Sequence, residues 1–130
     1  MKLKRVLVFS MKKVSVILLC LILYGVKGQS SYTAMGRASY YAKKFEGRIC
    51  SSGEIFHQDS LTAAHKTLTF GTIVRVKNLK NDSVVLVRIN DRLPKNSRSV
   101  IDLTRRAAIQ LNFIQQGITK VELEVISEKK

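Results

Sequence analysis

The sequence predicts a small all-β domain with one short helix. Short runs of apolar and β-branched residues alternate with polar turn residues over most of the chain. Only one segment, near the carboxyl end, has apolar residues at helical spacing. Several short strands within roughly 100 residues are typical of a small barrel.

The first strand is predicted over residues 36–41, after a polar linker over residues 29–35. Residues 72–77 then alternate apolar with polar side chains, and residues 78–82 supply turn chemistry. Residues 83–90 return as a nearly continuous apolar strand, so the last three segments predict a hairpin.

Two further strands are predicted in the last third of the chain. Residues 100–103 form a short candidate, and residues 120–126 have a period-two pattern that would close the sheet. A helix begins between them at Thr104, a good N-cap, and Asn112 tolerates the left-handed conformation that ends a helix. One face of this helix carries Ala107, Ala108 and Leu111.

The first 28 residues are predicted to be a signal peptide. Lys12 and Lys13 precede an apolar run over residues 14–24, and cleavage is expected after Gly28. Cys20 lies inside this run, where a lipidated cysteine is not expected. We therefore expect export to the periplasm or cell envelope, without lipidation and without a stable membrane anchor.

The expected mature chain has about 100 residues, enough for one domain with one core. This domain is predicted over residues 36–126, with a short tail over residues 127–130. Cys50 is the one cysteine after the signal peptide, so no disulfide within the mature chain is predicted.

The chain is strongly basic, with a formal net charge of +14. A basic exported domain suits an anionic membrane surface or an acidic polymer of the cell envelope, and export argues against nucleic acid. Scattered surface lysines that only confer solubility are the simpler explanation for part of this charge.

Asp91 is the first catalytic candidate, because it follows a strongly apolar strand and is followed by Arg92. A buried strand fixes its terminal residues more accurately than a mobile loop does. Glu54, His65 and Asp102 are the other polar residues that stand out. Taken alone, an aspartate at a strand end is more often a turn or hydrogen-bonding residue.

Six motifs in this order and spacing resemble the RlpA (rare lipoprotein A) family. They lie at residues 36–41 (GRASYY), 52–56 (SGEIF), 61–68 (LTAAHKTL), 71–72 (GT), 87–92 (VRINDR) and 101–104 (IDLT). The resemblance implies a six-stranded double-psi β-barrel and an endolytic lytic transglycosylase of peptidoglycan. Such an enzyme cleaves the β-1,4 bond between N-acetylmuramic acid and N-acetylglucosamine and leaves a 1,6-anhydro end.

The resemblance places the family's functional positions on Glu54, His65 and Asp91. Our hypothesis is that Asp91 protonates the leaving oxygen and then activates the 6-hydroxyl of the sugar. Glu54 and His65 would orient the sugar, hold the proton of Asp91 or stabilise positive charge. Structural alternatives are a turn hydrogen bond for Glu54 and a buried, hydrogen-bonded His65.

Four residues are assigned to substrate binding. Arg92 is expected to face away from Asp91, toward the anionic lactyl groups of the substrate, because adjacent strand residues point to opposite faces. Asp102 either contacts substrate or complements the helix N-terminus. Tyr41 is a candidate for stacking on a sugar, with a core position as the alternative, and Thr62 is assigned to the same groove.

No cofactor and no metal are expected. His57, Asp59, His65 and Asp91 have spacings that match no common metal motif. The expected partner is a peptidoglycan glycan strand, bound by a monomer.

The chain departs from the family pattern at several positions, among them Cys50, and two of the departures bear on the proposed activity. Leu93 stands where glycine usually follows the Asp-Arg pair, and His57 stands where aspartate is common. These departures keep open a non-catalytic, expansin-like module that binds glycan or loosens the wall. A secreted inhibitor or interaction domain is a third possibility, which a groove blocked by side chains would support.

Overall fold

The computed structural model describes residues 32–129. The predicted signal peptide and residues 29–31 lie outside the described residues. The strands are β1 (Thr33–Tyr40), β2 (Thr62–His65), β3 (Ile73–Asn78), β4 (Val84–Arg92), β5 (Ser99–Leu103) and β6 (Thr119–Ser127). One α-helix, α1 (Arg105–Gln110), lies between β5 and β6, and Lys43–Phe45 forms a short 3-10 helix.

The six strands form a closed barrel in the order β1-β5-β2-β4-β3-β6. Two neighbouring pairs are parallel, β1 with β5 and β2 with β4, and the other four pairs are antiparallel. Closure gives every strand two hydrogen-bonded neighbours, so no edge is left open. The predicted six-stranded barrel, the β3–β4 hairpin and the closing role of β6 are confirmed. Among residues 32–129, no helix has the length and apolar character needed to cross a membrane.

Strand β2 was not predicted from the sequence pattern. Its four residues are all buried, and it lies between β4 and β5. A strand that is buried on both faces shows no alternation, and four residues are too few to distinguish it from a loop by composition.

All five predicted strands extend beyond at least one of their predicted limits. β1 begins at Thr33, so residues 33–35 belong to the barrel and not to the linker. They pair with β6, where Thr33 faces Glu124, and this pairing gives a polar segment a strand conformation that its composition does not indicate. β4 continues through Arg92, so Asp91 lies within the strand, and β6 continues to Ser127.

The barrel interior is filled by aliphatic side chains from all six strands, and α1 covers one end. Ala107, Ala108 and Leu111 are completely buried, as predicted from their spacing. The Thr104 hydroxyl accepts a hydrogen bond from the Ala107 N–H at 3.3 Å, which confirms the N-cap. Asn112 has a φ of 54°, the left-handed conformation expected after the helix.

Asn78 connects three elements at one end of the barrel. Its Nδ2 donates to the carbonyl of Leu111 at 2.8 Å, just after α1. Its Oδ1 accepts from the Thr119 hydroxyl at 2.9 Å and from the Lys80 N–H at 3.0 Å. The Asn78 side chain is 1% exposed. If it is removed, water therefore does not satisfy the groups that it hydrogen-bonds.

We expect Asn78→Ala to lower the free energy of unfolding by about 2–4 kcal/mol, because several buried polar groups lose their partner. Urea unfolding at neutral pH measures this change. Asn96→Ala, at an exposed turn position, is the matched control and should change stability by less than about 0.5 kcal/mol. Equal stability of the two variants would contradict the role given to Asn78.

Candidate functional site

Four positions form a row across adjacent strands. Ser39 of β1 is in register with Asp102 of β5, Asp102 with Ala64 of β2, and Ala64 with Asp91 of β4. Because one strand separates the two aspartates, their backbones lie about 10 Å apart. Ala64 has a small side chain and therefore leaves space between the two carboxyl groups.

This space is part of a cavity of about 360 Å³, called here the carboxylate cavity. Asp91 and Asp102 line it, together with the aromatic rings of Tyr41 and Phe56 and the side chain of Leu93. The rings of Tyr41 and Phe56 stack at 4.3 Å with an angle of 24° between their planes. The cavity thus combines two carboxyl groups with an apolar wall, a combination that suits a sugar ring.

The Asp91 carboxylate accepts three hydrogen bonds. Tyr41 donates from its hydroxyl to Oδ2 at 2.6 Å, and the Ser51 N–H donates to Oδ1 at 2.8 Å. The N–H of Arg92 also donates to Oδ1, at 2.9 Å. Burial alone would raise the pKa of Asp91, but these hydrogen bonds outweigh burial and lower it. Asp91 is therefore ionised at neutral pH.

Asp102 has the opposite electrostatic environment. Burial raises the pKa of Asp102 to about 6, and the negative charge of Asp91 contributes in the same direction. A hydrogen bond with Ser39, whose Oγ lies 3.3 Å from Oδ1, partly opposes this rise. Asp102 does not cap α1, since Thr104 has that role. The structure therefore places Asp102 in the carboxylate cavity and leaves it the more easily protonated of the two acids.

Tyr41 was assigned to sugar stacking, and the structure adds a second contact. Burial, followed by the hydrogen bond and charge of Asp91, raises the pKa of Tyr41 far above its ordinary value. The phenol therefore remains a neutral hydrogen-bond donor to Asp91. No local pattern in the sequence indicates this hydrogen bond, because it joins residues that are 50 positions apart in the chain.

Glu54 lies outside the carboxylate cavity, in an exposed loop. Its carboxylate forms a two-point ion pair with Arg88, at 2.6 and 2.9 Å, and accepts from Nδ2 of Asn90 at 3.0 Å. The hydrogen bonds from Arg88 and then from Asn90 lower the pKa of Glu54. Glu54 is thus an ionised residue that attaches its loop to β4.

This attachment affects Asp91 through the loop backbone. The Cys50 N–H donates to the carbonyl of Glu54 at 2.7 Å, and the Ser52 N–H donates to the carbonyl of Asn90 at 3.3 Å. Ser51 lies between these two anchored residues and presents its N–H to Asp91. In this geometry Glu54 therefore anchors the loop that presents the Ser51 N–H to Asp91.

His65 is 3% exposed and does not line the carboxylate cavity. Its Nδ1 accepts hydrogen bonds from the N–H groups of Thr67 and Leu68, both at 3.1 Å, which leaves the ring proton on Nε2. Burial, then the charges of Arg92 and Lys66, lowers the pKa of His65, so the ring is neutral. His65 is arranged as the buried, hydrogen-bonded histidine of the structural alternative.

Arg92 and Thr62 also form contacts within the protein. Arg92 Nη1 donates to the carbonyl of Leu68 at 2.7 Å, and its guanidinium lies 4.1 Å from the centre of the Phe70 ring. Arg92 still contributes to the cavity wall beside Asp91. Thr62 is buried, and its hydroxyl lies 3.0 Å from that of Ser60.

The departures from the family pattern are accommodated without backbone strain. Leu93 has no left-handed φ, so its position does not require glycine. Its side chain nevertheless lines the cavity and narrows it beside Asp91. Burial, then the charge of Asp91, raises the pKa of the Cys50 thiol to about 11, which agrees with a packed cysteine and not a nucleophile.

Among residues 32–129, no three metal-ligating side chains converge on one point. His57 Nδ1 lies 3.1 Å from the Glu46 carboxylate, with which it forms an exposed pair.

Asp102→Asn should stabilise the protein at neutral pH. The folded state raises the pKa of Asp102 from 3.8 to about 6. A carboxyl group with a raised pKa binds its proton more tightly in the folded state, so stability falls as pH rises through this interval. We expect a gain of about 1–2 kcal/mol at pH 7 that is small at pH 4.

Urea unfolding at the two pH values measures this difference. Asp59→Asn, at an exposed acid, is the matched control and should show no such pH-dependent gain. If Asp102→Asn destabilised the protein at pH 7, the ionised carboxylate would be stabilised by its surroundings. That result would contradict the raised pKa of Asp102.

Comparison with known proteins identifies the family. A family model described as lytic transglycolase matches residues 33–123. The endolytic peptidoglycan transglycosylase RlpA of Vibrio cholerae is 42% identical over 105 residues, 81% of this chain and 40% of that protein. The Campylobacter jejuni protein of the same name is 44% identical over 111 residues, 79% of this chain and 40% of its own length. The chain thus spans less than half the length of these relatives.

Solved structures show the same fold at low identity. A Streptomyces papain inhibitor has a TM-score of 0.60 and 20% identity, covering 74% of this chain and 96% of its own. An expansin of Clavibacter michiganensis has a TM-score of 0.60 and 19% identity, covering 76% of this chain and 52% of its own. The strand order, the family match and these neighbours together confirm the double-psi β-barrel. The chain belongs to the lytic transglycolase family and is a relative of RlpA.

Proposed function

We propose that this domain is a lytic transglycosylase that cleaves peptidoglycan glycan strands in the carboxylate cavity. The observation that carries the proposal is a pair of carboxyl groups, Asp91 and Asp102, with pKa values shifted in opposite directions in one cavity. In most glycosidases one protonated and one ionised carboxyl group act together when the glycosidic bond is cleaved.

Asp102 is the better general acid of the two. With a pKa of about 6 it retains its proton in a useful fraction of molecules near neutral pH. Its proton passes to the glycosidic oxygen as the bond from that oxygen to C1 breaks. The electron pair of the bond stays on the leaving oxygen, and C1 gains positive character.

Asp91 then acts as the ionised partner. Its carboxylate stabilises the positive charge at C1 and accepts the proton of the 6-hydroxyl as O6 bonds to C1. The product is a 1,6-anhydro end, and no water is consumed. This division differs from the sequence-based hypothesis that Asp91 performs both proton transfers, because the hydrogen bonds to Asp91 keep it ionised before the reaction and leave it no proton to donate in the first step.

Tyr41 positions Asp91 by its hydrogen bond and, together with Phe56, supplies an apolar surface against which a sugar can lie. Glu54 and His65 support this arrangement indirectly in the proposal. Glu54 holds the loop that presents Ser51, and the His65 carbonyl accepts from the Leu93 N–H at 3.4 Å.

The names of the relatives support peptidoglycan as the substrate and a location outside the cytoplasm. The basic charge agrees with an acidic envelope polymer. Export by a cleaved signal peptide, a monomeric state and the absence of a membrane anchor belong to the same proposal.

One observation favours a second function, glycan binding without cleavage. Both oxygens of Asp91 are already engaged by hydrogen bonds, and Leu93 narrows the cavity beside it. A carboxylate held in this way can bind a sugar hydroxyl in a groove that does not cleave the glycan, as well as in one that does. Product analysis separates the two functions.

Purified chain incubated with peptide-stripped glycan strands should release fragments with 1,6-anhydro ends, detected by mass spectrometry. We expect Asp91→Asn and Asp102→Asn each to lower product formation by at least about 100-fold, as is typical for loss of an acid or base. Asp59→Asn is the control and should retain activity.

Reducing ends without the anhydro bridge would indicate hydrolysis by water. Glycan binding without any product in the wild type would establish the binding module. Equal product from wild type and Asp102→Asn would remove Asp102 from the acid step.

Activity should fall as pH rises through about 6, because Asp102 must hold its proton. The Ser39 hydrogen bond lowers the pKa of Asp102, so Ser39→Ala should move this falling limb to higher pH. The pH profile of kcat/KM measures the shift. Thr67→Ala, at an exposed position outside the cavity, should leave the profile in place. A Ser39→Ala profile identical to that of wild type would show that another group sets the limb.

A further inference from the structure

A second cavity, of about 370 Å³, lies between β1, β6 and the turn after β3. It shares no residue with the carboxylate cavity. Its lining is formed by Gly36, Arg37, Lys80, Ile118, Thr119 and Lys120, and it is called here the basic cavity. Three of these six residues are cationic, and no carboxylate lines the cavity.

The backbone brings the three cations together. Arg37 of β1 lies directly opposite Lys120 of β6 in an antiparallel pair. The Leu79 N–H donates to the carbonyl of Lys120 at 2.9 Å, which places the adjacent Lys80 beside the same strand. The Asn78 side chain then fixes Lys80 by accepting its N–H at 3.0 Å.

This arrangement concentrates positive charge at one place on the surface. Like charges that face each other across a strand pair destabilise the sheet. Among residues 32–129, the lysine and arginine side chains in ion pairs are those of Arg75, Lys77 and Arg88. None of these pairs includes Arg37, Lys80 or Lys120. In addition, Nε of Arg37 is buried without a hydrogen-bond partner among the described residues. A buried unpaired donor beside two unpaired cations is expected where an anion binds.

We propose that the basic cavity binds a phosphate ester. A phosphate carries up to two negative charges and three acceptor oxygens, which match one guanidinium and two ammonium groups better than a single carboxylate does. Arg37 supplies the planar donor, and Lys80 and Lys120 supply point charges. Ile118, 47% exposed at the edge of the cavity, offers an apolar contact to the carbon portion of the ester.

This binding site is independent of glycan cleavage, because it uses none of the residues assigned to that reaction. Its phosphate ester comes either from a lipid headgroup or from a soluble molecule. Both sources present the same chemistry to the cavity, and the experiment separates them.

The test is a titration of the ¹⁵N-labelled chain with inorganic phosphate and with glycerol phosphate at constant ionic strength, followed by NMR. Saturable shifts are expected at the amides of Arg37, Lys80 and Lys120. The double variant Arg37→Gln/Lys120→Gln should raise Kd by at least about tenfold, because each lost charged hydrogen bond contributes substantially to binding.

Lys43→Gln/Arg98→Gln is the matched control. It removes the same two charge types at exposed positions outside the basic cavity, so it should leave Kd within about twofold of wild type. If both double variants weakened phosphate binding equally, the loss would come from the change in overall charge. That result would overturn the proposal. The absence of saturable shifts in the cavity would also overturn it, as would saturable binding of acetate with no binding of phosphate.

Thermal unfolding gives a second measurement that does not depend on the variants alone. Phosphate should raise the Tm of the wild type and of the control variant, and should not raise that of Arg37→Gln/Lys120→Gln. Co-sedimentation with phosphatidylglycerol vesicles that depends on Arg37 and Lys120 would identify a lipid headgroup as the source. Binding of glycerol phosphate without such sedimentation would identify a soluble ester.

Discussion

The insertion of β2 between β4 and β5 is the constraint on which this structure depends. Its four residues are buried on both faces and form a parallel ladder with β4 and an antiparallel ladder with β5. Without β2 the barrel would be open between those strands, with two unpaired edges. The same insertion sets the separation of Asp91 and Asp102, because Ala64 stands between them in register. The same strand therefore closes the barrel and sets the distance between the two aspartates.

The two aspartates differ because the barrel surrounds them differently. Asp91 is held by a phenol and two backbone N–H groups, all of which stabilise its charged form. Asp102 is more deeply buried and has one hydroxyl contact, so the proton is favoured there. Each acid also influences the other, since the charge of Asp91 raises the pKa of Asp102. Two nearby carboxylates repel each other when both are ionised. A pair in which one is protonated and the other ionised avoids this repulsion and provides one acid and one base.

The loop from Cys50 to Glu54, which contains one of the family motifs, contacts Asp91. Glu54 is joined to Arg88 and Asn90 of β4, and this anchor fixes the N–H of Ser51 on Asp91. His65 has a comparable function on the other side, where its carbonyl contacts the segment after Arg92. The residues of a family motif can thus support a neighbouring carboxylate, because a displaced support also displaces the group that it holds.

The sequence by itself determined the elements whose pattern is local. Alternation predicted β3, β4 and β6, and the Thr104 cap with its apolar spacing predicted α1, because these signals arise within a few residues. It also identified Asp91 as a candidate acid, and the motifs identified the barrel. Only the tertiary structure decided that β2 is a strand, that Asp102 faces the same cavity as Asp91, and that Glu54 and His65 have their polar groups engaged elsewhere. Those properties depend on burial and on contacts between residues far apart in the chain. Neither propensity nor spacing along the sequence carries that information.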